Sequence, residues 1–150
     1  MKYKLLALIF FTTIIIACKP QAEVSDEVIA FRVDKIEEQS VKAWELDDNA
    51  YDDWQRIEDD WKVNVLNPTL EKYKIKVNCS DCPRVALRVI MKIGEDGKLV
   101  AYEIVNFNVC GDKVTKGLES DLMGYFTELT FDESLNGKVF EAYLGKILKC

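Results

Sequence analysis

The chain has 150 residues, with 26 acidic and 20 basic side chains and no histidine. A net-acidic chain without a basic run is a poor match for nucleic acid, whose binding depends on neutralising phosphates. Without histidine there is no His-dependent triad, no Cys–His nucleophile and no zinc site with a histidine ligand.

Lys2 and Lys4 precede an apolar run from Leu5 to Ala17, "LLALIFFTTIIIA". That run is short for a membrane span and suits a cleaved signal segment. It ends in Ile15-Ile16-Ala17-Cys18, which resembles the lipobox of bacterial lipoproteins. The resemblance implies cleavage before Cys18 and lipidation of that cysteine. Lys19 is not the aspartate that retains such proteins at the inner membrane, so the expectation is a lipid anchor in the outer membrane, facing the periplasm or the cell surface. Removing Lys2 and Lys4 leaves 18 basic against 26 acidic side chains, a formal charge of −8.

Residues 18–26 read as a tether after the signal peptide (1–17), and residues 27–70 as a helical segment. From Glu27 to about Leu46, Val28, Phe31, Ile36, Val41 and Trp44 recur at loosely helical spacing, with Ser25 as N-cap. A second helix is expected from Tyr51 to Leu66. Tyr51, Trp54, Ile57, Trp61 and Val65 form its apolar stripe, and Asn67-Pro68 ends it. The acidic stretch from Glu45 to Asp60 invites a calcium reading with Asp47 at position one of an EF-hand loop. Asp52 then falls where the loop needs glycine and Tyr51 where it needs a ligand, so a solvated acidic face is the preferred reading.

Residues 71–150 change character. "YKIKV" (73–77) alternates as a short strand would. "PRVALRVIMKI" and "KLVAYEIVNF" flank Gly94-Glu95-Asp96-Gly97 and predict a β-hairpin. Counting outward pairs Met91 with Val100 and Val89 with Tyr102, and sets Arg88 opposite Glu103. A helix follows from about Lys113 to Leu129, capped by Asp112, with Val114, Leu118, Leu122, Phe126 and Leu129 on one stripe. "GKVFEAYLGKILK" is a last strand with Phe140, Ala142, Leu144 and Leu148 on one face. The predicted class is α+β, with N-terminal helices followed by a β-β-α-β antiparallel sheet backed by a helix.

That order, with Asp96-Gly97-Lys98 in the hairpin, "ELTF" closing the helix and Asn136-Gly137-Lys138-x-Phe140 leading into the last strand, resembles the C-terminal domain of the TonB energy-transducer superfamily. The resemblance covers about residues 79–150. It implies a small sheet whose exposed edge takes up a partner segment by strand addition. The lipobox and the presence of only three prolines depart from TonB proper, which has an uncleaved inner-membrane helix and a proline-rich spacer. Fold and binding mode are therefore carried over, and energy transduction is not.

Cys79, Cys82, Cys110 and Cys150 would lie in an oxidising compartment. If the last strand pairs antiparallel with the first strand of the hairpin, all four gather at one end of the sheet. Two disulfides are the preferred reading. Cys82–Cys110 is favoured over Cys79–Cys110, which leaves Cys79–Cys150. A four-cysteine zinc site lacks a second close pair. A thiol–disulfide exchange centre at Cys79-x-x-Cys82 lacks the helix N-terminus that would lower a thiol pKa. The expectation is a non-enzymatic, lipid-anchored envelope protein that works by protein–protein interaction, without a cofactor. The alternative is a periplasmic exchange protein using Cys79 and Cys82.

Overall fold

The computed structural model describes residues 31–110 and 115–150. The predicted lipidation residue Cys18, the cap Asp112 and the stripe residue Val114 lie outside them. The described chain is α+β, with a five-stranded sheet in the order β1-β4-β3-β5-β2. Its body is three long strands, β3 (Arg84–Ile93), β4 (Leu99–Val109) and β5 (Val139–Ile147). Two-residue strands flank them, β1 (Phe31–Arg32) and β2 (Val41–Lys42). β3 is central and antiparallel to both long neighbours, whereas β1 and β2 run parallel to β4 and β5.

The strand pattern decides which face is buried. Val85, Leu87, Val89, Met91 and Ile93 alternate along β3 and are all buried, as are Phe140, Ala142 and Leu144 of β5. Helices α1 (Asp48–Trp61), α2 (Asn67–Lys72) and α3 (Lys116–Glu128) cover that face. Asp47 caps α1 by accepting from the Ala50 amide at 3.1 Å, and Trp54 and Trp61 are turned inward, 2% and 0% exposed. Trp54 meets Phe140 edge-on at 5.0 Å, and Trp61 stacks on Phe126 at 6.0 Å. The Trp61 indole N–H donates to the Leu122 carbonyl at 2.9 Å, so its one polar atom is satisfied inside the core. At ~25 cal/mol per Å², an aromatic burying about 200 Å² contributes about 5 kcal/mol, so these rings dominate the helix–sheet contact.

The predicted N-terminal helix from Glu27 to Leu46 does not form over its described part. Residues 31–42 instead make a strap across the face of the sheet opposite the helices, from β1 on one edge to β2 on the other. The Val33 amide donates to the Tyr102 carbonyl at 2.9 Å, the Ile36 amide donates to the Glu103 carboxylate at 2.8 Å, and Glu38 pairs with Lys92. Within the strap, Ile36 is buried. Loose helical spacing loses here because the sheet offers unpaired edges and a bare face, which reward pairing more than a weakly patterned helix does. A 3₁₀ turn, Ala43–Glu45, then leads toward α1.

The second helix runs past Asn67-Pro68. A π-helical turn, Lys62–Leu66, joins α1 to α2 and puts Pro68 at the start of α2. Proline lacks an N–H and its ring clashes with the carbonyl four residues back, and a widened turn removes both conflicts. The predicted strand at residues 73–77 is a helix terminus instead. Lys74 has φ +56°. The Ile75 amide donates to Leu70 O and the Lys74 amide to Glu71 O, the Schellman pattern that closes helices. The cap of α3 is Thr115, whose hydroxyl accepts from the Leu118 amide at 3.1 Å.

The hairpin register differs from the outward count. Ile93 pairs with Leu99, Met91 with Tyr102, Val89 with Ile104 and Leu87 with Phe107, with irregularities at Lys92/Ile93 and Arg88/Val89. Val100 and Val105 are each skipped, so β4 carries two bulges. A bulge adds a residue to one strand and flips the parity of everything beyond it. Because the loop is also one residue longer than counted, with Ile93 paired to Leu99 rather than Lys98, Arg88 stands opposite Asn106, and Glu103 opposite Ile90.

Candidate interaction surface

The cysteines lie at the end of the sheet away from the hairpin turn. Val85 pairs with Val109 and Arg84 with Ile147, so Cys82, Cys110 and Cys150 sit just beyond three adjacent strand ends. Cys82 is bonded to Cys110, with Cα atoms 4.9 Å apart, and Cys79 to Cys150 at 5.6 Å. Both separations suit a disulfide. Between Cys79 and Cys82 the chain makes a tight turn: Asn78 Oδ1 accepts from the Ser80 and Asp81 amides at 2.9 Å, and Asn78 and Cys82 form a two-way backbone bridge. The two cysteines of the Cys-x-x-Cys pair are thus bonded to distant partners rather than to each other. No helix begins at Cys79, the placement that activates the thiol of an exchange centre.

The acidic stretch is divided among structural partners. Asp47 caps α1 and pairs with Lys138 at 2.9 Å. Asp53 binds Arg56 and accepts from the Ser134 hydroxyl. Asp60 accepts from the Tyr125 hydroxyl at 2.8 Å. Burial, reinforced by Asp60, pushes that phenol up to about 12. Among the described residues no group of three or more metal-ligating side chains gathers.

A cluster that sequence reasoning missed lies on the open face, beside the strap. Glu141 of β5 is buried there. Arg88, its neighbour on β3, grips it through two nitrogens, with Nη2 at 3.0 Å, and Lys42 of β2 reaches it at 2.5 Å. The Arg88 hydrogen bonds hold the Glu141 carboxyl at about 2 against the opposing effect of burial, and Lys42 assists. A carboxylate pinned this low takes up no proton near neutral pH, so its chemistry is structural rather than acid–base. The two cations approach the Tyr143 ring, Arg88 at 5.6 Å and Lys42 at 5.9 Å from its centroid. Trp44 leans on the same ring at 5.3 Å. The only prior signal of the ion cluster was the alternation Glu141, Tyr143 on the polar side of β5, and the β3–β5 register that brings Arg88 beside Glu141 was not legible in the sequence.

This cluster borders exposed apolar surface. Trp44 is 57% exposed, Tyr143 47% and Ile147 69%. Arg88, Asn106, Tyr143 and Ile147 line a shallow depression of about 230 Å³. β2 pairs with β5 only at Phe140 and Glu141, and β1 with β4 only at Ala101 and Tyr102. The outer edges of β5 from Tyr143 and of β4 from Glu103 have no strand neighbour among the described residues. The chain matches no family model, and no curated protein or solved structure is found to match it.

Proposed function

We propose that the chain is a lipid-anchored protein of the bacterial cell envelope, held in the outer membrane through Cys18, and that it acts as a protein–protein interaction module. The observation that carries the reading is the exposed row Trp44, Tyr143 and Ile147 beside the outer edge of β5, which beyond Glu141 has no strand neighbour among the described residues. Tryptophan, tyrosine and arginine held rigidly at a surface are the residue types that dominate interface energetics. An open strand edge adds main-chain donors and acceptors, so an extended segment of an envelope protein is the partner that fits. This is the binding mode that the TonB-like order of hairpin, helix and last strand implies. Exchange chemistry at Cys79 and Cys82 is the weaker reading, because each cysteine is engaged elsewhere and stapling accounts for both.

Two measurements test the proposal. Replacing Cys18 by alanine should move the protein from the membrane to the soluble fraction, and retention in the membrane would remove the anchor. A photo-crosslinking residue at Ile147, in cells that make the protein naturally, should yield a discrete adduct that Tyr143→Asp abolishes. The same probe at Val63, an exposed apolar position on the π turn, should give none. Equal labelling from both positions would refute the interaction surface.

A further inference from the structure

On the helix side of the sheet, at its disulfide end, a groove of about 410 Å³ runs between α2, the segment after it and β5. Buried Leu70 and Ile75 and half-buried Val77 give it an apolar floor. Its rim carries three ammonium groups, Lys74, Lys76 and Lys146, against one carboxylate, Glu71. It continues, through Asn67 and Lys146, into a second depression of about 230 Å³ beside Leu66. Its size and apolar lining are those of a small-molecule site.

Three cations without an ion pair among the described residues gather at this groove. The chain is net acidic. Among the described residues Arg32, Lys42, Arg56, Lys72, Arg88, Lys92 and Lys138 pair with carboxylates on other elements, whereas the remaining cations without an ion pair, Arg84, Lys98, Lys116 and Lys149, do not line the groove. Lys74, Lys76 and Lys146 make no ion pair among the described residues. Backbone irregularity also gathers here. The π turn ends at Leu66 on the wall, Lys74 stands on the rim at φ +56°, and Gly145 bends β5 at φ +138° next to Lys146. Lys74 holds a left-handed C-cap position where glycine would be relaxed. A lysine there has one local benefit, a cation at the helix C-terminus, and it aims a second benefit at the groove.

We propose that this groove binds an anionic amphiphile, an acyl chain with a carboxylate or phosphate head. The chain lies on Leu70, Ile75 and Val77, and the head is held by Lys74, Lys76 and Lys146. The apolar floor needs a tail, since a small anion would leave it wet. The lysines need a negative head, since a neutral tail would leave three charges unmatched.

The test uses the purified full chain and displacement of a dansyl-labelled undecanoic acid. Dodecanoate and dodecyl phosphate, each below its aggregation threshold, distinguish the two heads; dodecanol lacks the charge, and acetate and inorganic phosphate lack the tail. Both charged amphiphiles, or one of them, should displace the label saturably. Dodecanol should be at least about tenfold weaker, a loss that three cations at a surface can supply. Acetate and phosphate should not compete. Lys74→Gly removes a charge at a site where glycine fits the backbone, so the melting temperature should not fall. Combined with Lys76→Gln and Lys146→Gln, it should weaken the charged amphiphiles about tenfold and leave dodecanol unchanged. Equal binding of dodecanol and dodecanoate, unchanged affinity in a folded triple variant, or the absence of saturable displacement would overturn the assignment.

Discussion

Replacing Glu141 by glutamine tests whether the ion cluster is an energetic element of the fold. In the native chain its carboxyl is held at about 2, from an ordinary value of 4.5, chiefly by Arg88. The folded value lies below the unfolded one, so the unfolded chain takes up the proton first as pH falls. The cluster's contribution is therefore complete above about pH 4.5 and is lost as the pH falls toward about 2. At about 1.36 kcal/mol per pH unit, the shift corresponds to about 3 kcal/mol. The Arg88 and Lys42 side chains are 40% and 31% exposed, and solvent screening of such partners reduces this to about 1.5–2 kcal/mol.

Urea unfolding of the native chain and of Glu141→Gln, from neutral pH to about pH 2, reads this directly. The variant should be less stable by about 2 kcal/mol at neutral pH. The difference should shrink toward zero in acid, where native Glu141 is itself neutral. Glu38, Asp47 and Asp121, whose carboxyls are also held low by lysine partners, lose their contributions in both proteins, so subtraction removes them. A difference that stays constant with pH, or that is absent at neutral pH, would refute the electrostatic account.

Three further outcomes follow from the packing. Replacing Cys79 and Cys150 together by serine should cost about 2–4 kcal/mol in denaturant unfolding, because that bridge closes the longer loop, 71 residues against 28 for Cys82–Cys110; equal stability with and without reductant would argue against either staple. Gly145→Ala would place a Cβ 2.1 Å from the Val85 carbonyl oxygen at a left-handed φ, so a loss of at least about 3 kcal/mol, read as a large fall in melting temperature, is expected. Trp54→Ala should cost about 3–5 kcal/mol by leaving a cavity between Phe126 and Phe140.

What the sequence made legible was what strong periodicity carries. The five alternating residues of β3, the stripe Trp54, Ile57, Trp61 and the stripe Leu118, Leu122, Phe126 are buried as patterned. The cysteine geometry was accessible for the same reason: wherever the hairpin is bulged, Cys82 and Cys110 still flank its open end. What pattern could not reveal was tertiary compensation. Nothing in "FRVDKIEEQSVK" announces a strap, because its apolar residues are anchored by edges and a face formed about 60 or more residues later in the chain. Nothing local marks Val100 and Val105 as bulged. These two skips, with a hairpin loop one residue longer than counted, moved Arg88's partner on β4 from Glu103 to Asn106 and left Arg88 to reach Glu141 across the β3–β5 pairing. A proline inside a helix reads as a stop unless the turn before it widens, and the π turn is visible only in three dimensions.

The strap and the staples divide the sheet into unequal halves. Toward the hairpin turn both faces are covered, by the helices on one side and by residues 33–40 on the other. Toward the cysteines the strap is gone, β1 and β2 have ended, and two disulfides take over the task of holding strand ends together. Among the described residues, that substitution leaves the open face and both outer edges of this half without a covering element. β5 is the element that uses the freedom twice. Tyr143 and Ile147 point to the open face, where Trp44 and Arg88 gather, whereas Lys146, one residue out of phase, reaches the groove on the helix side. Gly145 lies between them, pressed onto the Val85 carbonyl, so the strand can bend there without losing its pairing to β3. A shift of β5 by one residue would bury Tyr143 against the helices and expose Leu144. The register that the core enforces is therefore also what sets the apolar row and the lysine groove on opposite faces of one strand.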